Sequence, residues 1–81
     1  MVTFKRGDLV SPVKAKIFAW KDWRRSKEMH RFYERTAAPL LVLDYYPDDY
    51  ELGTTDAVQV LAPEGYIFWG RCDQFMLVYR A

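Results

Sequence analysis

Residues 57–79 read AVQVLAPEGYIFWGRCDQFMLVY, and this stretch decides the fold. Val58 and Val60 flank the polar Gln59, the period-two alternation of a strand with one buried face. Pro63-Glu64-Gly65 then joins a residue that presets φ to one that tolerates positive φ, which predicts a tight hairpin turn. Ile67-Phe68-Trp69 resumes with β-branched and aromatic residues suited to a pleated, half-buried surface. Gly70, directly after a bulky aromatic, predicts a bend or bulge. Asp73 brings a side-chain acceptor to neighbouring backbone, so a single 3₁₀ turn is expected over residues 72–75. Leu77-Val78-Tyr79 supplies the closing strand.

Upstream, Leu40-Leu41-Val42-Leu43-Asp44-Tyr45-Tyr46 reads as another strand. With Asp44 toward water, Leu41, Leu43 and Tyr45 are expected to face inward. Residues 47–56 are rich in turn-formers and read as a loop. Near the start, Gly7-Asp8 predicts a turn, and Leu9-Val10 begins a strand that Pro12 confines to an edge.

Between residues 11 and 38 the strand signal fades. Eight basic residues stand there against Asp22, Glu28 and Glu34. Asp22 or Ser26 suits a helix N-cap. Met29, Phe32 and Tyr33 fall at i, i+3 and i+4, and Lys21, Arg24, Arg31 and Arg35 recur at steps that align them along one helix side. A long, basic, part-helical insertion is therefore expected, with an ordered loop as the alternative. From residue 39 onward the balance reverses, seven acidic residues facing only Arg71 and Arg80. The net charge of +1 conceals a basic insertion joined to an acidic remainder.

An 81-residue chain makes one domain with a small core. Three Trp, six Tyr and five Phe exceed what so small an interior hides, so some rings are expected to line a groove or interface. One cysteine and one histidine make neither an internal disulfide nor a zinc site, which suits a reducing, cytoplasmic setting. Nothing at the start reads as a signal peptide, and no apolar run is long enough to span a bilayer.

The order of elements is strand, long excursion, strand, acidic loop, strand, tight hairpin, strand, 3₁₀ turn, last strand. It resembles the SH3-like small β-barrels, and most closely the small phage-encoded SH3-like proteins of unknown function. The residues that carry the resemblance are Gly7-Asp8-Leu9-Val10, Gly65, Trp69, Asp73 and residues 75–78, and it covers roughly residues 4–10 and 39–80. It implies a mainly β fold, a five-stranded barrel formed as one domain, with the 11–38 segment as its first long loop.

No arrangement of residues supports catalysis. His30 lies in a charged stretch with no serine or cysteine placed as a nucleophile, and Cys72 reads as a small buried apolar residue. Asp48, Asp49 and Glu51 lack the spacing of a calcium loop, and no glycine-rich phosphate cradle is present, so no metal or cofactor is expected. Tyr45, Tyr46 and Tyr50 beside Asp48 and Asp49 form the best candidate groove for a basic peptide, through cation–π and charge contacts. Trp20 and Trp23 are further candidates for a protein-binding surface. The leading expectation is an interaction module that binds a protein partner or a copy of itself. The alternative is nucleic-acid binding, with Lys21, Arg24, Arg25, Lys27, Arg31 and Arg35 on phosphates and the interleaved rings on bases. A self-compensated, solvated surface through Glu28 and Glu34 accounts for the same residues. Trp69 and Phe75 are expected in the core.

Overall fold

Alternating burial along short segments organises this chain into strands. A computed structural model describes residues 3–21, 31–46 and 56–81. Among them run β1 (Leu9–Pro12), β2 (Lys16–Ala19), β3 (Arg31–Glu34), β4 (Leu40–Tyr46), β5 (Ala57–Leu61), β6 (Ile67–Arg71), a 3₁₀ turn (Cys72–Gln74) and β7 (Phe75–Tyr79). All described strand pairs are antiparallel. Five strands form one sheet in the order β6-β5-β4-β1-β7, and β2-β3 forms a second. The expected mainly β fold with a five-stranded sheet is present. The sheet does not close into a barrel, because β6 and β7 stand at opposite edges without pairing.

The expected helical character of the 11–38 segment needs correction where that segment is described. Residues 16–19 and 31–34 are strands paired as a hairpin, with Ile17 opposite Tyr33 and Phe18 opposite Phe32. Phe32 and Tyr33 therefore lie on opposite faces rather than one. The helix-like spacing loses to cross-strand pairing, because Ile, Phe and Tyr fill a pleated surface well. Asp22, Ser26, Met29 and His30 lie outside the described residues.

The core sits between the two sheets. Val10, Leu40, Val42, Val58, Val60 and Phe68 are essentially without exposure. Removing each such side chain from water stabilises the fold by roughly 1.5–3 kcal/mol. In β4 the inward positions are Leu40 and Val42, not Leu41 and Leu43. The reason is a bulge: Val42 pairs with Val60 but Asp44 pairs with Gln59, leaving Leu43 without an opposite residue. One extra residue resets the alternation, so Val42 before it and Tyr45 after it both face the core. Tyr45 thus points inward as expected, and Asp44 outward.

Pro12 ends β1 but does not sit on an edge strand, since β1 lies between β4 and β7. The Val13 N–H donates to the Gln74 carbonyl at 2.9 Å, so position 12 turns its nitrogen toward the β4 side. Pairing with β4 has already stopped there, at Val10, and the missing N–H costs no ladder bond.

The β5–β6 turn forms as the sequence predicts, with Gly65 at φ +90° and its N–H on the Ala62 carbonyl at 2.9 Å. The 3₁₀ turn also appears, but Gln74 rather than Asp73 secures it. The Gln74 side-chain oxygen accepts the Arg71 N–H at 3.1 Å, whereas the Asp73 carboxylate accepts from the Arg71 guanidinium at 2.7 Å. Gly70 makes no bulge, and β5 and β6 pair in register throughout. It is small because the Phe75 ring lies against it: a Cβ there would stand 2.7 Å from Phe75 Cε2.

Candidate functional site

The β2–β3 hairpin presents rings to solvent. Alternation in Lys16-Ile17-Phe18-Ala19 buries Ile17 and Ala19 and turns Lys16 and Phe18 outward. Opposite them, Tyr33 is buried while Phe32 and Glu34 face out. Directly opposed residues of an antiparallel pair share a face, so Phe18 and Phe32 stand side by side. Their ring centroids are 5.3 Å apart, and they are 40% and 54% exposed. Trp20, directly after β2, has its ring centroid 6.0 Å from that of Phe18.

The inner face of the hairpin explains why the outer one is held firmly. Ile17 and Tyr33 belong to the main core, and the Tyr33 ring stacks on Phe68 at 4.8 Å. Trp20 packs with Ala57 and Trp69 in a second buried cluster, joined by Tyr46. Two main-chain hydrogen bonds between Trp20 and Trp69 tie the hairpin to the β6 edge. The exposed Phe pair therefore rides on a rigid platform.

The charge around it is mainly positive. Lys14, Lys16, Lys21 and Arg35 are exposed on the described hairpin, with Glu34 the one described acid there. Lys16 and Glu34 form an ion pair at 3.6 Å, but both side chains are well exposed and the contact contributes little to stability.

The residues expected at a site are distributed differently from the expectation. Trp20 is buried, so Phe18 offers the accessible ring. Tyr45 and Tyr46 do not line one groove: Tyr45 packs on the main core and Tyr46 on the Trp20–Trp69 cluster. The Tyr45 hydroxyl donates to the Asp56 carboxylate. Lys21 and Arg35 are exposed, and the Arg31 main chain pairs opposite Ala19. Trp23, Arg24, Arg25, Lys27, Asp48, Asp49 and Tyr50 lie outside the described residues. Trp69 and Phe75 are buried as expected. Phe18 escaped the sequence reading, although the Lys-Ile-Phe-Ala alternation around it was a usable signal.

An open depression of about 640 Å³ lies over the β4 bulge, lined in part by Lys5, Arg6, Leu43, Asp44 and Tyr45. It mixes one acid with two basic side chains, and its described lining includes no serine, cysteine or histidine. Cys72 is buried, and desolvation, helped by the Asp56 and Asp73 carboxylates, pushes its thiol up to about 12. A thiol held so firmly neutral is a poor nucleophile. Among the described residues, no His, Cys, Asp and Glu side chains gather as a metal site. No described helix is long and apolar enough to cross a membrane. No family model matches the chain, and neither a characterised protein nor a solved structure does.

Proposed function

We propose that the chain is a non-enzymatic interaction module of SH3-like build that holds a protein partner on the outer face of the β2–β3 hairpin. The exposed Phe18–Phe32 pair carries this reading. Phenylalanines bury large areas when they can, and two of them kept side by side in water on an anchored hairpin suit a contact face. The surrounding positive charge suits a partner that combines an apolar anchor with acidic side chains. The strand order, the tight β5–β6 turn and the 3₁₀ turn before the last strand support the SH3-like part. They agree with the likeness to small phage-encoded proteins, on which reading the module works in the host cytoplasm.

The test is capture from lysate by the immobilised protein, with and without nuclease, beside a Phe18→Ser, Phe32→Ser double variant. Nuclease-resistant capture by the parent that the double variant loses, at unchanged urea stability, is the expected result. Equal capture by both proteins removes the hairpin from the function.

A second reading rests on the same pair. Opposed exposed rings flanked by Lys16, Lys21 and Arg35 suit stacking on bases of a single strand with phosphates on the basic side chains. It requires that fluorescence anisotropy detect binding to a labelled single-stranded oligonucleotide, falling steeply with added salt. No anisotropy change at low salt ends it.

A further inference from the structure

β7 exposes four consecutive apolar side chains: Met76 at 48%, Leu77 at 38%, Val78 at 55% and Tyr79 at 67%. It forms one edge of the five-stranded sheet, with β1 on one side and no described strand on the other. From the Val13–Gln74 hydrogen bond the β1–β7 register runs unbroken to Val10 opposite Leu77. Alternation along that ladder turns the Leu77 N–H and C=O away from β1, onto the open edge. Edge strands of monomeric proteins are normally blunted by charge, proline or cover. Here the blunting device is a bulge at Val78, which has no opposite residue in β1 and limits the free ladder to the part centred on Leu77.

We infer that this edge is covered by β7 of a second copy of the chain, antiparallel, about a two-fold axis between facing Leu77 residues. The strand is self-complementary in that arrangement. Each Leu77 exchanges both main-chain hydrogen bonds with the partner's Leu77, and Phe75 lies toward the partner's Tyr79. The charges agree as well. Exposed Asp73, which already holds Arg71, precedes the strand, and half-exposed Arg80, whose guanidinium also lies 3.8 Å from Asp8, follows it, so each acidic end faces the basic end of the other copy.

The four residues alternate between the two faces of the edge and together leave roughly 400 Å² of mostly apolar surface, comparable to the largest patch on an ordinary monomer. Two copies together bury at most roughly 800 Å², no more than about half a standard interface, which makes the dimer reversible rather than permanent. This surface is separate from the hairpin face, and the inference stands whether or not the hairpin binds a partner.

Sedimentation velocity of the full chain over a wide concentration range tests it. The expected result is a mass rising reversibly from one chain toward two. Leu77→Pro removes an N–H that takes no part in the β1 ladder, at an edge position where proline is tolerated, so the variant should fold and yet remain monomeric. Val78→Lys places a charge in the apolar strip and should raise the dissociation constant at least about tenfold, the effect of losing one anchoring contact. A parent that stays monomeric at the highest concentration overturns the inference, including the case where an unrelated strand occupies the edge instead. A dimer that persists unchanged in Val78→Lys also overturns it, whether or not Leu77→Pro folds.

Discussion

Trp20 and Trp69 exchange main-chain hydrogen bonds, 2.8 Å from the Trp20 N–H to the Trp69 carbonyl and 2.7 Å in return. This isolated bridge, with the two buried indoles beside it, docks the hairpin on the edge of the larger sheet. The Trp20 amide should therefore exchange with deuterium about as slowly as those of β5 and β6. Exchange of the Trp20 amide at the rate of an open loop would show that the hairpin is not docked in solution.

Phe75 is the second fixed point, since its ring closes over Gly70. Phe75→Ala removes a buried aromatic and should cost about 3–5 kcal/mol in urea unfolding. Gly70→Ala forces the opposite fault, a Cβ into the ring, and should cost about 1–3 kcal/mol. The two costs should be less than additive in the double variant, because truncating the ring makes room for the methyl. Strict additivity would mean that the ring and the glycine do not meet.

Asp8 links the two ends of the described fold. Its buried carboxylate accepts the Lys5 N–H at 3.0 Å and the Ala81 N–H at 2.9 Å, with the Arg80 guanidinium at 3.8 Å. Burial pushes the carboxyl pKa up, but the hydrogen bonds from Ala81 and Lys5 and the charges of Arg80 and Lys5 outweigh it and bring it below 3.8. The folded state thus favours the carboxylate. Its stabilising contribution is complete above the unfolded value and is lost as pH falls through the folded one. The urea midpoint of the parent should drop on acidification more steeply than that of Asp8→Asn, which starts lower. Parallel pH profiles for the two proteins would remove Asp8 as the cause.

Cys72 titrates in the opposite sense. With the thiol raised from 9.0 to about 12, the folded state favours the neutral form. That contribution is complete below the unfolded value and fades as pH rises from about 9 toward about 12. At mildly alkaline pH the native protein should react with a disulfide reagent far more slowly than the same protein in urea. Equal rates would place the thiol at the surface.

Much of the sheet was legible because its signals are local. The Val58-Gln59-Val60 alternation, the Pro63-Glu64-Gly65 turn and the one-turn 3₁₀ element each depend on a few neighbouring residues. The hairpin was not legible, since Phe32 and Tyr33 fit a helix face and a strand equally well until Phe18 and Ile17 pair with them. Leu43 misled for a related reason: the bulge there resets the alternation, so counting back from Asp44 and Tyr45 put Leu41 and Leu43 on the wrong face. The candidate site was legible only as an excess of rings. Trp20 looked available and proved to be packing, because a nearby sheet edge could accept it.

β1 lies between a strand that begins about thirty residues later and one supplied by the last part of the chain. During synthesis β1 precedes both of these neighbours and has the second only after β7 has emerged. Assembly of the sheet should therefore be a late event, paced by contacts between distant parts of the chain rather than by its hairpins. Until then β1 lacks one of its two neighbours, and the nascent chain is most open to mispairing at that stage.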